Sequence, residues 1–126
     1  MRTAALYAGL LGLVLIALMA SVSMARRRAK VNFGDGGDEI LRRRIRAHGN
    51  FIEYAPLAAL LLALSEHLGL GSLFIHILGL ILVASRISHG YGISQLNEVL
   101  AFRMFGMGGT LLVLLVTSVY CILAFF

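Results

Sequence analysis

The 126 residues include no tryptophan, one cysteine and one proline, and only 13% of them are charged. Each scarcity excludes something. Cys121 alone cannot build a disulfide framework or a CxxC-type zinc site, and within its apolar run it reads as a small hydrophobe. It also stands too far from the end for a prenylation box. Without Trp, an aromatic belt must come from Tyr7, Tyr120, Phe125 and Phe126 at one interface and from Phe33, Phe51, Tyr91 and Phe102 at the other. Scarce charge beside 60% hydrophobic residues leaves too little polar surface to cover a soluble core. The class is an integral membrane protein with a single domain over residues 1–126.

Acids are fewer than bases, six against eleven, which gives a net charge of +5. The bases do not spread over a soluble face. They cluster beside apolar spans, a pattern that fits anionic head groups or an anionic ligand and argues against nucleic acid. No two histidines share a helical face at i, i+3 or i+4, so no metal site is expected.

Four spans are expected, at about 4–25, 39–66, 72–89 and 103–125, giving an all-α integral membrane four-helix fold. Ser23-Met24-Ala25 could mimic a signal-peptidase site. The apolar run before it is longer than a signal-peptide core, and Arg26-Arg27-Arg28 follows at once, so a retained span is preferred. Gly34-Asp35-Gly36-Gly37-Asp38 is turn chemistry, with Asp38 as N-cap of the second helix. Pro56 falls inside that helix and predicts a kink. His89-Gly90-Tyr91-Gly92 is expected to end the third span, and Gly106, Gly108 and Gly109 to allow close contact of the fourth. Ten cations flank the first and third connections, whereas Arg2 alone lies on the opposite side. The positive-inside rule therefore places both basic connections in the cytoplasm and both termini across the membrane.

The second helix carries the unusual pattern. Arg46, Asn50 and Glu53 stand at i, i+4 and i+7 and stack along one face, with Tyr54 beside them and His48 on the opposite side. From Phe51 to Leu64 the helix is otherwise apolar. Polar groups at that depth need partners, and the default reading is a site. Arginine offers a planar fork to carboxylates, Glu53 accepts from an ammonium or amide, and Asn50 does both. A small anionic molecule with several polar groups, such as an amino acid or short peptide, matches that set. If it carries a thiol, a nearby guanidinium would favour the thiolate.

The run Arg46-Ala47-His48-Gly49-Asn50-Phe51-Ile52-Glu53-Tyr54-Ala55-Pro56, preceded by the glycine-rich loop, resembles the MAPEG family, the membrane-associated proteins in eicosanoid and glutathione metabolism. The loop makes it most similar to the small bacterial branch. The resemblance implies a left-handed bundle assembled as a homotrimer in a bacterial inner membrane, with glutathione as co-substrate bound between protomers near the cytoplasmic surface. It assigns Arg46, Asn50, Glu53 and Tyr54 to glutathione from one protomer, and Arg27 and His48 from the neighbour. Tyr91 and Arg103 take the catalytic positions, with Arg103 on the thiolate-stabilising arginine. A second tyrosine of the synthases is Ile87 here, and the connection before Arg103 is longer. The implied activity is glutathione transfer to, or peroxidase action on, lipophilic electrophiles or hydroperoxides arriving from the membrane lipid.

Blander readings stand beside these. Arg26, Lys30, Arg42 and Arg44 read as topology signals; Glu53 could pair with Arg46 or Arg103; His76 reads as a packed histidine, and Glu66 with His67 as a solvated helix end. Two other functions remain open: a small proton-coupled exporter using Glu53, and a catalytically silent member that binds glutathione or lipid.

Overall fold

The computed structural model describes residues 1–126 and contains four helices: α1, Arg2–Ala29; α2, Glu39–His67; α3, Ser72–Ser94; and α4, Leu100–Leu123. All four are long and apolar enough to cross a membrane, and no strand is present. The protein is an all-α, four-helix integral membrane bundle. Around it the order is α1, α2, α4, α3; α2 and α3 also meet across the middle, and α1 does not approach α4.

The first connection is built by short polar side chains. Lys30 closes α1 in the left-handed region, and Gly36 and Gly37 turn the chain with φ of 58° and 81°. Asp38 caps α2 by accepting from the Leu41 N–H at 2.7 Å, which satisfies a donor that the first turn leaves free. Arg28 reaches both Asp38 oxygens at 2.8 Å. Asp35 accepts from the Gly37 N–H at 2.9 Å and from Arg42 Nε at 2.8 Å. The Gly37 amide first, then Arg42, hold the Asp35 carboxyl below the ordinary carboxylate range.

The helix ends depart from expectation in two places. His89-Gly90-Tyr91-Gly92 does not break α3, which runs on to Ser94, and α4 begins at Leu100 rather than at Arg103. The glycines serve contact instead. A Cβ on Gly90 would touch Leu18 of α1 at 3.3 Å, and one on Gly92 would press on the Arg103 backbone at 3.1 Å. α2 is continuous through Pro56.

Packing follows small residues. Gly79 of α3 receives the Tyr7 ring of α1, leaving no space for a Cβ. On α4, a Cβ on Gly106 would stand 2.5 Å from the Ser85 carbonyl oxygen, and Gly109 faces the Ser85 side chain; Gly108 opens outward. The core includes Tyr7, Leu11, Phe51, Ala58, Leu62, Ile75, Leu82 and Val113.

At the end of the bundle that carries both termini, polar groups find partners. Glu66 is not part of a solvated helix end: its carboxylate accepts from the N–H groups of Thr3 at 3.1 Å and Ala4 at 2.8 Å, and it lies 3.4 Å from the terminal amine. It satisfies donors at the start of α1, where a negative charge is also favoured by the helix dipole. His76 takes a hydrogen bond with the Tyr7 hydroxyl through Nδ1 at 2.8 Å.

Candidate functional site

The expected site residues lie at the opposite, basic end. On α2, Arg46 meets Glu53 through two hydrogen bonds, 2.8 Å from Nη1 and 3.3 Å from Nη2, and both side chains remain about half exposed. Asn50, between them in sequence, turns inward and is 6% exposed. At about 100° per residue, Glu53 lies roughly 20° to one side of Arg46 and Asn50 roughly 40° to the other. That divergence splits the row into an outer ion pair and an inner amide.

The inner amide serves a residue the sequence reading counted only among the topology charges. Arg86 of α3 is 1% exposed. Its Nη1 donates to Asn50 Oδ1 at 2.9 Å and its Nη2 to the Gly106 carbonyl at 3.1 Å, while Nε has no acceptor. No carboxylate pairs with it. Desolvating a cation is costly even with neutral acceptors in place, so this buried guanidinium is an electrostatic demand at the centre of the basic end. A signal was available: apart from histidines, Arg86 is the one charged side chain of α3.

The remaining residues are more dispersed. Tyr54 and His48 are half-buried on different sides of α2, and Arg27 is exposed near the end of α1. Tyr91 is exposed and meets the Phe102 ring edge-on at 5.5 Å. Arg103 donates to Glu98 at 2.9 Å, and Arg43 reaches the same carboxylate at 3.4 Å. Chiefly through the Arg103 hydrogen bond and then that from Arg43, Glu98 is held below the ordinary glutamate range despite some desolvation. Within one chain Arg27 and His48 do not join the Arg46–Glu53 pair by any hydrogen bond, nor does Arg103. Of the topology arginines, Arg42 pairs with Asp35 and Glu39, Arg26 donates to the Gly34 carbonyl, and Arg44 to that of Ser21.

This arrangement concentrates ten cations against five acids at one end of the bundle. The sequence matches the MAPEG family model over residues 4–123. The chain belongs to the MAPEG family. Among curated proteins it is similar to Inner membrane protein YecN of Escherichia coli (strain K12), at 38% identity over 106 residues, covering 84% of this chain and 79% of that protein. The same identity and coverage hold for Inner membrane protein YecN of Escherichia coli O6:H1. No solved structure matches the chain. As a MAPEG member the chain is a membrane protein of a glutathione and eicosanoid metabolism family. The matched residues extend from α1 to the end of α4 and take in both the α2 row and Arg86.

Proposed function

We propose that this MAPEG protein binds glutathione at its basic end and transfers it to lipophilic electrophiles, or uses it to reduce hydroperoxides, delivered from the surrounding lipid of a bacterial inner membrane. The observation that carries the reading is the outward Arg46–Glu53 pair beside the inward Asn50–Arg86 pair. The outer pair presents a cationic fork and a carboxylate suited to a peptide bearing carboxylates and an ammonium group, and the buried pair ties α2 to α3 behind it. Arg46 would take a glutathione carboxylate, Glu53 an ammonium or amide, and Tyr54 a further hydrogen bond. Because Arg46 and Glu53 are exposed on one chain, a neighbouring protomer in a homotrimer has room to add Arg27 and His48 across the interface. Tyr91 or Arg103 would favour the thiolate. A thiol pKa lowered by one unit from about 8.5 needs only about 1.4 kcal/mol of differential interaction. The thiolate sulfur then attacks an electrophilic carbon: an aryl halide loses its halide, and an enal takes the sulfur at its β-carbon and a proton at its α-carbon. In the peroxidase case, two glutathiones give the disulfide as the hydroperoxide becomes alcohol and water.

Glutathione consumption by the purified, reconstituted protein, assayed with an aryl halide, an enal and an alkyl hydroperoxide, tests the activity. The expected result is turnover with at least one, falling by about tenfold or more in Arg46→Ala. Binding of glutathione without turnover across all three would reduce the reading to a catalytically silent binder. The exporter alternative asks for a site that admits lipophilic cations, whereas the Arg46 guanidinium beside Glu53 would repel them.

A further inference from the structure

The connection between α3 and α4 carries one end of a charged relay. Glu98 stands there with one carboxylate oxygen on each of two arginines from different helices. Its Oε1 accepts from Arg103 Nη1 of α4 at 2.9 Å, and its Oε2 from Arg43 Nη1 of α2 at 3.4 Å. Arg43 is tied in turn to Glu39, through Nε at 2.9 Å. The order across the basic end is therefore Glu39, Arg43, Glu98, Arg103. Arg43 has a second acid behind it, whereas Glu98 is the one carboxylate that Arg103 touches.

The backbone beneath Arg103 is fixed, but its side chain is held lightly. Ser88 of α3 donates to the Phe102 carbonyl at 2.8 Å. Gly92 lets the Arg103 backbone come so close that a Cβ there would stand 3.1 Å from its nitrogen. Those contacts pin the start of α4 against α3. The guanidinium, by contrast, is anchored by a single hydrogen bond from Nη1, and the side chain is 49% exposed. Ion pairs this open to solvent are weak and exchange readily against another anion. Parting also strands no charge, because Glu98 keeps Arg43 and Arg43 keeps Glu39. The relay is closed at three members and can open at the fourth.

We propose that Glu98 is a positioning residue that occupies the Arg103 guanidinium until glutathione arrives, so that the thiolate gains Arg103 only by displacing an internal carboxylate. This rests on the reading of the basic end as a glutathione site in which Arg103 favours the thiolate. In the exchange the thiol gives its proton to water, the Arg103–Glu98 hydrogen bond breaks, and the guanidinium N–H turns to the sulfur. Glu98 stays on Arg43. The connection that carries Glu98 is the one that is longer here than in the synthases, and it sets an acid beside the thiolate-stabilising position. The consequence is a bound thiol that ionises less readily than an uncovered Arg103 would make it.

The test reads the thiol itself. Full-length wild-type, Glu98→Gln, Arg103→Gln and doubly substituted proteins are reconstituted in lipid, saturated with glutathione and titrated with base while the ultraviolet absorbance of the thiolate is followed. Glu98→Gln is expected to lower the bound thiol pKa by about half a unit, or about threefold more thiolate at a pH below it. Arg103→Gln should raise that pKa, and in its background Glu98→Gln should lose most of its effect. Equal shifts in both backgrounds would mean that Glu98 acts through its bare charge, and would overturn the proposal. So would a rise in thiol pKa in Glu98→Gln, since Glu98 would then be orienting Arg103 for the thiolate. Without glutathione, phenylglyoxal should modify Arg103 about threefold faster in Glu98→Gln than in wild type, read by peptide mass spectrometry; equal rates would show that the guanidinium is not covered. A wild-type protein that binds glutathione but shows none of these differences from Glu98→Gln defeats the proposal alone. A wild-type protein that binds no glutathione defeats it together with the reading beneath it.

Discussion

The two ends of the bundle are built on opposite policies. At the end carrying the termini, polar side chains within the bundle find partners: Glu66 covers the start of α1, Tyr7 bonds His76, and the Tyr120 hydroxyl donates to the Leu68 carbonyl at 3.3 Å, while Arg2 and His67 are exposed. At the basic end, ten cations face five acids, Arg86 is buried without a carboxylate, and the Arg46–Glu53 pair stays open to the outside. Membrane interiors penalise unmatched polar groups, so the first pattern is what stability alone selects. The second costs stability unless a ligand supplies the missing partners. That contrast supports the proposed site at the basic end more than any single residue does.

The comparison can be broken by mutation. The largest effect is expected at the buried pair. Asn50→Leu strips the Arg86 guanidinium of its side-chain acceptor and should destabilise the detergent-solubilised protein by about 2–3 kcal/mol. Arg86→Met should cost less, because it removes the charge along with its need for partners. The double variant should be more stable than Asn50→Leu alone, and thermal unfolding of the three would show this non-additivity. If the double variant lost the sum of the two single effects, the buried-charge account would be wrong. Next comes Gly106→Ala, which overpacks α3 against α4 and should cost about 1–3 kcal/mol; an unchanged melting temperature would show that the helices adjust freely.

At the matched end, Glu66→Gln should cost only about 1 kcal/mol, read as a lowered melting temperature, since one cap and its dipole interaction are weakened while the amide oxygen still accepts. The smallest effect concerns Glu98. Its folded pKa is depressed, so its contribution is present above the ordinary glutamate pKa of about 4.3 and is lost as pH falls through the lower folded value. A fall in melting temperature from this source should therefore set in only below pH ~4.3. Glu98→Gln should remove that pH dependence and free Arg43 and Arg103.

Much of this was legible in the sequence, and the parts that were not share a cause. Spans, the Asp38 cap and the α2 row follow from hydropathy, turn chemistry and helical period, all of which are local. Asn50 was placed on the same face as Arg46 and Glu53, but a row about 60° wide can straddle the boundary between core and surface, and only the position of α3 decides which side each member takes. Arg86 looked like a flanking topology charge because its partners, Asn50 and the Gly106 carbonyl, come from two other helices. Glu66 looked solvated because the donors it covers are more than sixty residues away. Gly90 and Gly92 looked like helix breakers, yet Leu18 and the Arg103 backbone press on them from α1 and α4. In each case a residue was read by its neighbours in the chain and placed by its neighbours in space.

The account stands on the claim that the unmatched basic end is a receptor for glutathione. Calorimetric titration of the purified, lipid-reconstituted protein with glutathione tests it directly. Saturable heat is predicted for the wild type, with affinity falling by about tenfold or more in Glu53→Gln, as loss of a charge-assisted contact requires. No heat at millimolar glutathione, or identical isotherms for the two proteins, would contradict it.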